Sequence, residues 1–275
     1  TCLLGEGPLW HPEREQLFWC DITGKAILSR KDDQAVHWDW PEMVSAAGWV
    51  DDARLLVASQ SALSLFDIET GAIERLMGLE ADNPLTRSND GRADPFGGFW
   101  IGTMGLNCEP GLGAIYRFYR GELRRLRAGI SVSNAICFSP DGETAYFADT
   151  PTHRIMRWKL GRDGWPVGEP EIFVELGAEG LKPDGAVVDN TGVLWNAHWG
   201  DGLLCAYGVD GRRLARIEMP APLLTCPAFG GPDLGTIYLT SASELSAEAL
   251  QRFPESGFVH QISPGATGQR EHRVI

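Results

Sequence analysis

Short apolar runs alternate with turn residues along this chain, and the same arrangement returns six times. The clearest copy is Ser133–Thr150, SNAICFSPDGETAYFADT. A polar pair opens it and a short apolar run follows. Ser139-Pro140-Asp141-Gly142 then supplies Pro and Gly where a tight turn needs them, and Ala145-Tyr146-Phe147-Ala148 resumes the apolar run before Asp149. The pattern predicts strand, turn, strand. Glu6–Ile22 repeats it, with the same spacing from Glu6 to Phe18 as from Asn134 to Tyr146. Weaker copies span 45–58, 89–102, 184–197 and 226–240.

The first apolar residues of the second strands are Phe18, Leu56, Phe99, Tyr146, Leu194 and Ile237, separated by 38, 43, 47, 48 and 43 residues. Four-stranded propeller blades recur at roughly 40–50 residues, and helical solenoid repeats lack the paired β runs seen here. Third-strand candidates follow each unit, among them Ala26-Ile27-Leu28, Ile155–Trp158 and Phe258–Ile262. The expected fold is all-β, a six-bladed β-propeller in which residues 1–275 form one domain. A β-sandwich, the alternative, would not require six similar units. Thr1–Leu4 is expected to pair with the last blade as an outer closing strand. Ser243–Phe253 reads as a short helical or loop insertion, and Arg270–Ile275 as a surface end.

The formal charge of -13 argues against nucleic acid or anionic membrane as a partner, because both need clustered Lys and Arg. No run of 18 apolar residues is present, so no transmembrane helix is expected, and no signal peptide is legible. Cys2, Cys20, Cys108, Cys137, Cys205 and Cys226 contain no CxxC pair and mostly fall inside predicted strands. They read as reduced thiols of a cytoplasmic protein rather than a zinc site.

Aligning the units on their anchor residues singles out four side chains. Glu6 and Asn134 lie 12 residues before their anchors; Asn89 and Asp184 lie 10 before theirs, with a turn two residues shorter. All four therefore occupy one position of the repeat, at the mouth of an innermost strand. The innermost strands of a propeller line a central channel, so these residues should ring its axis. Two converging carboxylates repel unless one stays protonated or a cation sits between them. A set of carboxylate and amide oxygens suits Ca²⁺, Mg²⁺ or Mn²⁺; Zn²⁺ can also occupy an oxygen site, although it more often takes His or Cys. The expectation is one divalent metal ion in the channel. Each residue taken singly is also an ordinary turn or capping type.

The stretches GEGPLW (5–10), RSNDGRADPFGGFWIGTM (87–104), SNAICFSPDGETAYFADTPTHRI (133–155), PDGAVVDNTGVLWNAHWG (183–200) and FGGPDLGTIYLTSA (229–242) closely resemble the SMP-30/gluconolactonase/regucalcin-like family. The resemblance covers nearly the whole chain. It implies a six-bladed propeller that hydrolyses sugar lactones with one divalent metal in its channel. The family's ligand positions match Glu6, Asn134 and Asp184, and its substrate-binding Arg and Asn match Arg87 and Asn89. Glu109, in the variable loop after Gly102-Thr103-Met104, is the expected further substrate contact. The family pattern assigns no role to Lys182 or His198; either could shape substrate choice, and Lys182 could equally be a solvated side chain.

On this reading the metal polarises the lactone carbonyl and Asp184 acts as general base toward water. No GxSxG is present and no His stands at a blade mouth, so nothing points to a covalent serine route. Two other readings stay open. Glu6, Asn89, Asn134 and Asp184 could serve a metal-dependent phosphotriesterase or aryl esterase, although Arg87 beside Asn89 suits a polyol better. A non-catalytic calcium-binding propeller is the other, since the fold hosts many functions. The expected partner is a small-molecule sugar lactone, and the expected assembly a monomer or homodimer.

Overall fold

The computed structural model describes residues 1–31 and 34–275. Blade one consists of β1 (Gly5–His11), β2 (Gln16–Asp21), β3 (Ala26–Lys31) and β4 (Gln34–Asp39). Blade two consists of β5 (Val44–Asp51), β6 (Arg54–Ser59), β7 (Ala62–Asp67) and β8 (Ile73–Gly78). Blade three is β9 (Thr86–Ala93), β10 (Phe99–Gly105), β11 (Gly113–Tyr119) and β12 (Glu122–Ile130). Blade four is β13 (Ser133–Phe138), β14 (Thr144–Asp149), β15 (Arg154–Lys159) and β16 (Glu171–Glu175). Blade five is β17 (Pro183–Val188), β18 (Leu194–His198), β19 (Leu203–Tyr207) and β20 (Arg213–Glu218). Blade six holds β21 (Leu224–Gly230), β22 (Thr236–Ser241) and β23 (His260–Ile262). Each sheet runs antiparallel in chain order, which gives the six-bladed propeller that the repeat implied. A short helix, α1 (Ala247–Arg252), lies in the blade-six insertion, with Ser246 accepting from Ala249 N as its N-cap.

Burial explains the six anchor residues. Phe18, Leu56, Phe99, Leu194 and Ile237 are each at most 1% exposed and Tyr146 only 6%. Second strands are covered on both faces, so they read as continuous apolar runs. Outer strands such as β20 alternate because one side meets water. Aromatic pairs weld neighbouring blades: Trp100 meets Phe138 between blades three and four with ring centroids 5.5 Å apart, and Trp10 stacks on Tyr238 between one and six at 5.6 Å.

Two sequence expectations change at the chain ends. Leu4 bridges Ala242, Ser243 N donates to Leu3 O, and Cys2 N donates to Gly257 O. Thr1–Leu4 thus ties the last blade to the first from the end of β22, not as an outer strand beyond β23. Arg270–Ile275 is no loose surface end. Residues 267–275 cross the base of the propeller: Asn190 N donates to Thr267 O, Gly268 N to Leu234 O, Val274 N to Trp49 O and Ile275 N to Gly97 O. Gln269 Nε2 reaches the carbonyls of Phe138 and Val188. Glu271 pairs with buried Arg92, whose Nη2 also donates to the carbonyls of Ala186 and Pro227 across the channel. Among the described residues no helix is long and apolar enough to cross a membrane. All six cysteines are free, and only Cys108 is exposed.

Candidate active site

The inner strands all break register near their starts. The β1–β2 pairing slips between Glu6 and Leu9, β13–β14 between Asn134 and Cys137, and β17–β18 between Pro183 and Ala186; β5, β9 and β21 slip at the matching place. Such bulges re-aim a side chain and are common beside sites. Here they sit at or beside Glu6, Asn89, Asn134 and Asp184. The residue after Glu6 is Gly7, at φ +52, where a Cβ would stand 2.4 Å from Ser45 O. Only glycine fits. Ala135, after Asn134, holds φ +56 without that freedom, which marks local strain at the site.

The four ring residues are all buried, and two of them, Asn89 and Asn134, touch directly. Asn89 Nδ2 donates to Asn134 Oδ1 at 3.0 Å and to Ser133 O at 2.8 Å. Arg87 Nη1 donates to Asn89 Oδ1 at 2.7 Å and to Ser88 O at 2.8 Å. Asn134 Nδ2 donates to Thr150 Oγ1, whose hydroxyl in turn donates to Pro183 O, one residue before Asp184. Asn196 Nδ2 grips the carbonyls of Asp184 and Gly185. Blades three, four and five are thereby joined by one polar chain. Arg87 and Asn89, expected to precede the inner strand, lie within β9.

Entry to two of the inner strands is fixed from below. Asp21 accepts from the N–H groups of Leu3 and Leu4, and Asp149 from those of Ser131 and Val132. Each stands 15 residues after the ring residue it helps place (21 − 6; 149 − 134).

Electrostatics concentrate on Glu6 and Asp184. Burial pushes Glu6 up to about 8, and the neighbouring charge of Asp90 adds to it, against the N–H of Gly7 and the guanidinium of Arg87. Burial, then Glu6 and Asp90, raise Asp184 well above the usual carboxylate range. Asp184 Oδ1 is buried without a hydrogen-bond partner. Asp90, which the repeat alignment passed over, is buried and raised to about 6 by desolvation, its Oδ2 accepting from Ile136 N at 2.6 Å. It lies in the same polar run as Arg87 and Asn89, and that run was its only signal. Thr150 was missed too, because a lone Thr after a strand reads as a turn.

The remaining expected residues fall outside this network. Glu109 is half-buried in the loop after β10, where its carboxylate accepts from Asn107 N and Nδ2. Lys182 is exposed. His198 is buried in β18 with Nε2 3.1 Å from Tyr207 Oη, and burial lowers it to about 4, so it is a core side chain. Among the described residues no three His, Cys, Asp or Glu side chains gather into a metal-holding group. The ring offers two carboxylates and amides instead. A cavity of about 1010 Å³ lies between blades six and one along Trp10, Trp19, Tyr238 and His260, and none of the ring residues lines it.

Comparison with known proteins bears on this geometry. The SMP-30/gluconolactonase/LRE-like region matches residues 4–243. A 6-deoxy-6-sulfogluconolactonase of Pseudomonas putida is 36% identical over 98% of this chain and 94% of its own. An L-arabinolactonase of Azospirillum brasilense is 35% identical over 93% and 87%. The crystal structure of a calcium-binding protein, regucalcin, from Agrobacterium tumefaciens superposes with a TM-score of 0.98 at 39% identity, covering 100% of this chain and 94% of that one.

Proposed function

The chain belongs to the SMP-30/gluconolactonase/LRE-like family, and from that premise we propose that it is a carboxylic-ester hydrolase that opens a sugar lactone to its aldonic acid with the help of one divalent cation. The observation that carries the reading is a pair of buried carboxylates, Glu6 and Asp184, both raised by burial, with the charge of Glu6 adding to the rise at Asp184, whose Oδ1 has no partner. Two such groups in one dry channel make an acceptor site for positive charge. With the Asn134 carbonyl oxygen beside them, the donors are hard oxygens, which fit Ca²⁺, Mg²⁺ or Mn²⁺ better than Zn²⁺. Glu6, Asn134 and Asp184 would hold the ion.

When bound, the cation would supply Lewis-acid polarisation of the lactone carbonyl. The protein's own groups do the rest. Arg87, a half-buried cation braced by Asn89 and Ser88, points its remaining donors at sugar hydroxyls and fixes the ring's orientation. Asp184 takes the proton of the attacking water at its free oxygen as the new C–O bond forms. The ring C–O bond then breaks and the leaving alkoxide receives that proton. The product acid ionises near neutral pH and releases a proton to solvent.

Asn89 favours this over the esterase reading. Its carbonyl oxygen already accepts from Arg87, which suits an amide that binds a polyol rather than a fourth ligand to the ion. Proton release from aldonolactones, set against turnover of phenyl acetate and paraoxon, tests the choice. Turnover of a lactone alone is expected. Preferential turnover of the aryl substrates would overturn the reading, and cation binding with no hydrolysis of any substrate would leave a binding propeller. The names of the relatives divide between a sulfonated and an uncharged lactone, so the substrate's charge is the open point.

A further inference from the structure

We infer that Glu244, held by Thr23 at the rim of the channel, selects uncharged aldonolactones against anionic ones; the inference rests on the lactonase reading above. The residue lies in the blade-six insertion just past β22, and several contacts fix the chain there. Ala242 bridges Leu4, Ser243 N donates to Leu3 O at 2.9 Å, and Ser243 Oγ donates to Cys2 O at 2.7 Å. Asp21 clamps the same segment by accepting from Leu3 N, Leu4 N and Gly24 N. From the turn that contains Gly24, Thr23 Oγ1 donates to Glu244 Oε1 at 2.7 Å. Glu244 is therefore held by Thr23, and the residues just before it are stitched to Cys2, Leu3 and Leu4, at the end of the propeller where β1 begins.

Its charge is felt in the pocket. The groups that act on the half-buried Arg87 guanidinium include Glu244 together with Glu6 and Asp184. A carboxylate at that place accepts hydrogen bonds from polyol hydroxyls and repels a sulfonate or carboxylate tail. Thr23 occupies one of its oxygens and fixes its direction. Lys182 on blade five is exposed and Arg87 Nη1 is engaged by Asn89 and Ser88, while Glu244 is a negative charge held in place by Thr23. It is solvent-exposed, so salt should screen its effect.

The test compares kcat/KM for D-gluconolactone and D-glucarolactone, which differ by a terminal hydroxymethyl against a carboxylate. The wild type should prefer the uncharged lactone. Glu244→Gln should narrow that preference by about fivefold to tenfold, the effect of one unit charge several ångströms from another near a protein surface. Thr23→Val should narrow it less, raised salt should narrow it in the wild type alone, and Glu248→Gln on α1 should leave it unchanged. An unchanged ratio in Glu244→Gln overturns the inference and leaves the lactonase reading standing. So does a wild-type preference for the anionic lactone that Lys182→Gln removes. Turnover of neither lactone by the wild type defeats the lactonase reading, and this inference with it.

Discussion

Asn89 Nδ2 donates to Asn134 Oδ1 at 3.0 Å, across 45 residues of sequence and between equivalent places in neighbouring blades. The bond orients the Asn134 carbonyl, while Arg87 holds the Asn89 carbonyl from the other side. One amide therefore couples a proposed substrate cation to a proposed metal ligand. Asn89→Leu removes both of these hydrogen bonds and the one to Ser133 O while keeping the bulk. Losing one bond to a charged group is worth about 1.5–3 kcal/mol, so kcat/KM on the lactone should fall roughly tenfold to a hundredfold. Steady-state kinetics on the folded variant check it, and wild-type values would show that Asn89 is not part of the machinery.

Glu6 gives the metal-free protein an unusual pH response. Its folded value of about 8 lies above the ordinary 4.5, so the fold favours its neutral form. That contribution to stability is present in full below 4.5 and is lost as pH rises through about 8. Asp184, raised for the same reasons, acts in the same direction. Melting in the presence of a chelator should show Tm falling by several degrees from pH 5 to pH 8. Saturating divalent cation should remove most of the fall, since it stabilises the ionised pair. A flat chelated profile would show that the two carboxylates are not held together in a dry channel.

Asp94 tests the fold independently of the site. It pairs with Arg117 at 2.6 Å, both side chains 0% exposed, and it also accepts from Phe96 N and Gly98 N. Arg117 lies against the rings of Tyr119 and Trp165 as well. Asp94→Ala strands a buried guanidinium, and removing one partner of such a pair costs about 3–5 kcal/mol. Urea unfolding should show that loss. A loss below about 1 kcal/mol, the level of an exposed pair, would mean that water reaches Arg117.

Much of this architecture could be read from the sequence because it repeats. Each copy of strand, turn and strand carries its own apolar anchor, and the anchors are the buried second-strand residues. The ring of Glu6, Asn89, Asn134 and Asp184 followed from counting back from those anchors. What the sequence hid was non-local or backbone-borne. The bulge that turns Asn134 inward depends on a positive φ at Ala135, a residue whose type gives no such signal. Residues 270–275 carry three charged side chains, and an RxHR-like composition of that sort reads as solvated. Glu271 is buried all the same, because its partner Arg92 lies 179 residues away. Thr1–Leu4 was correctly tied to the last blade but set on the wrong edge, since four residues carry no register signal of their own. Asp90 was overlooked because its hydrogen bond to Ile136 N joins two blades.

The most direct test is a cation titration of the metal-stripped protein, with binding followed by calorimetry and lactone hydrolysis followed by proton release on the same samples. The account predicts one tight site for a hard divalent cation, hydrolysis that appears in proportion to its occupancy, and loss of the rate in Asp184→Asn. Full hydrolysis by protein that holds no cation, or undiminished hydrolysis by Asp184→Asn, would contradict it.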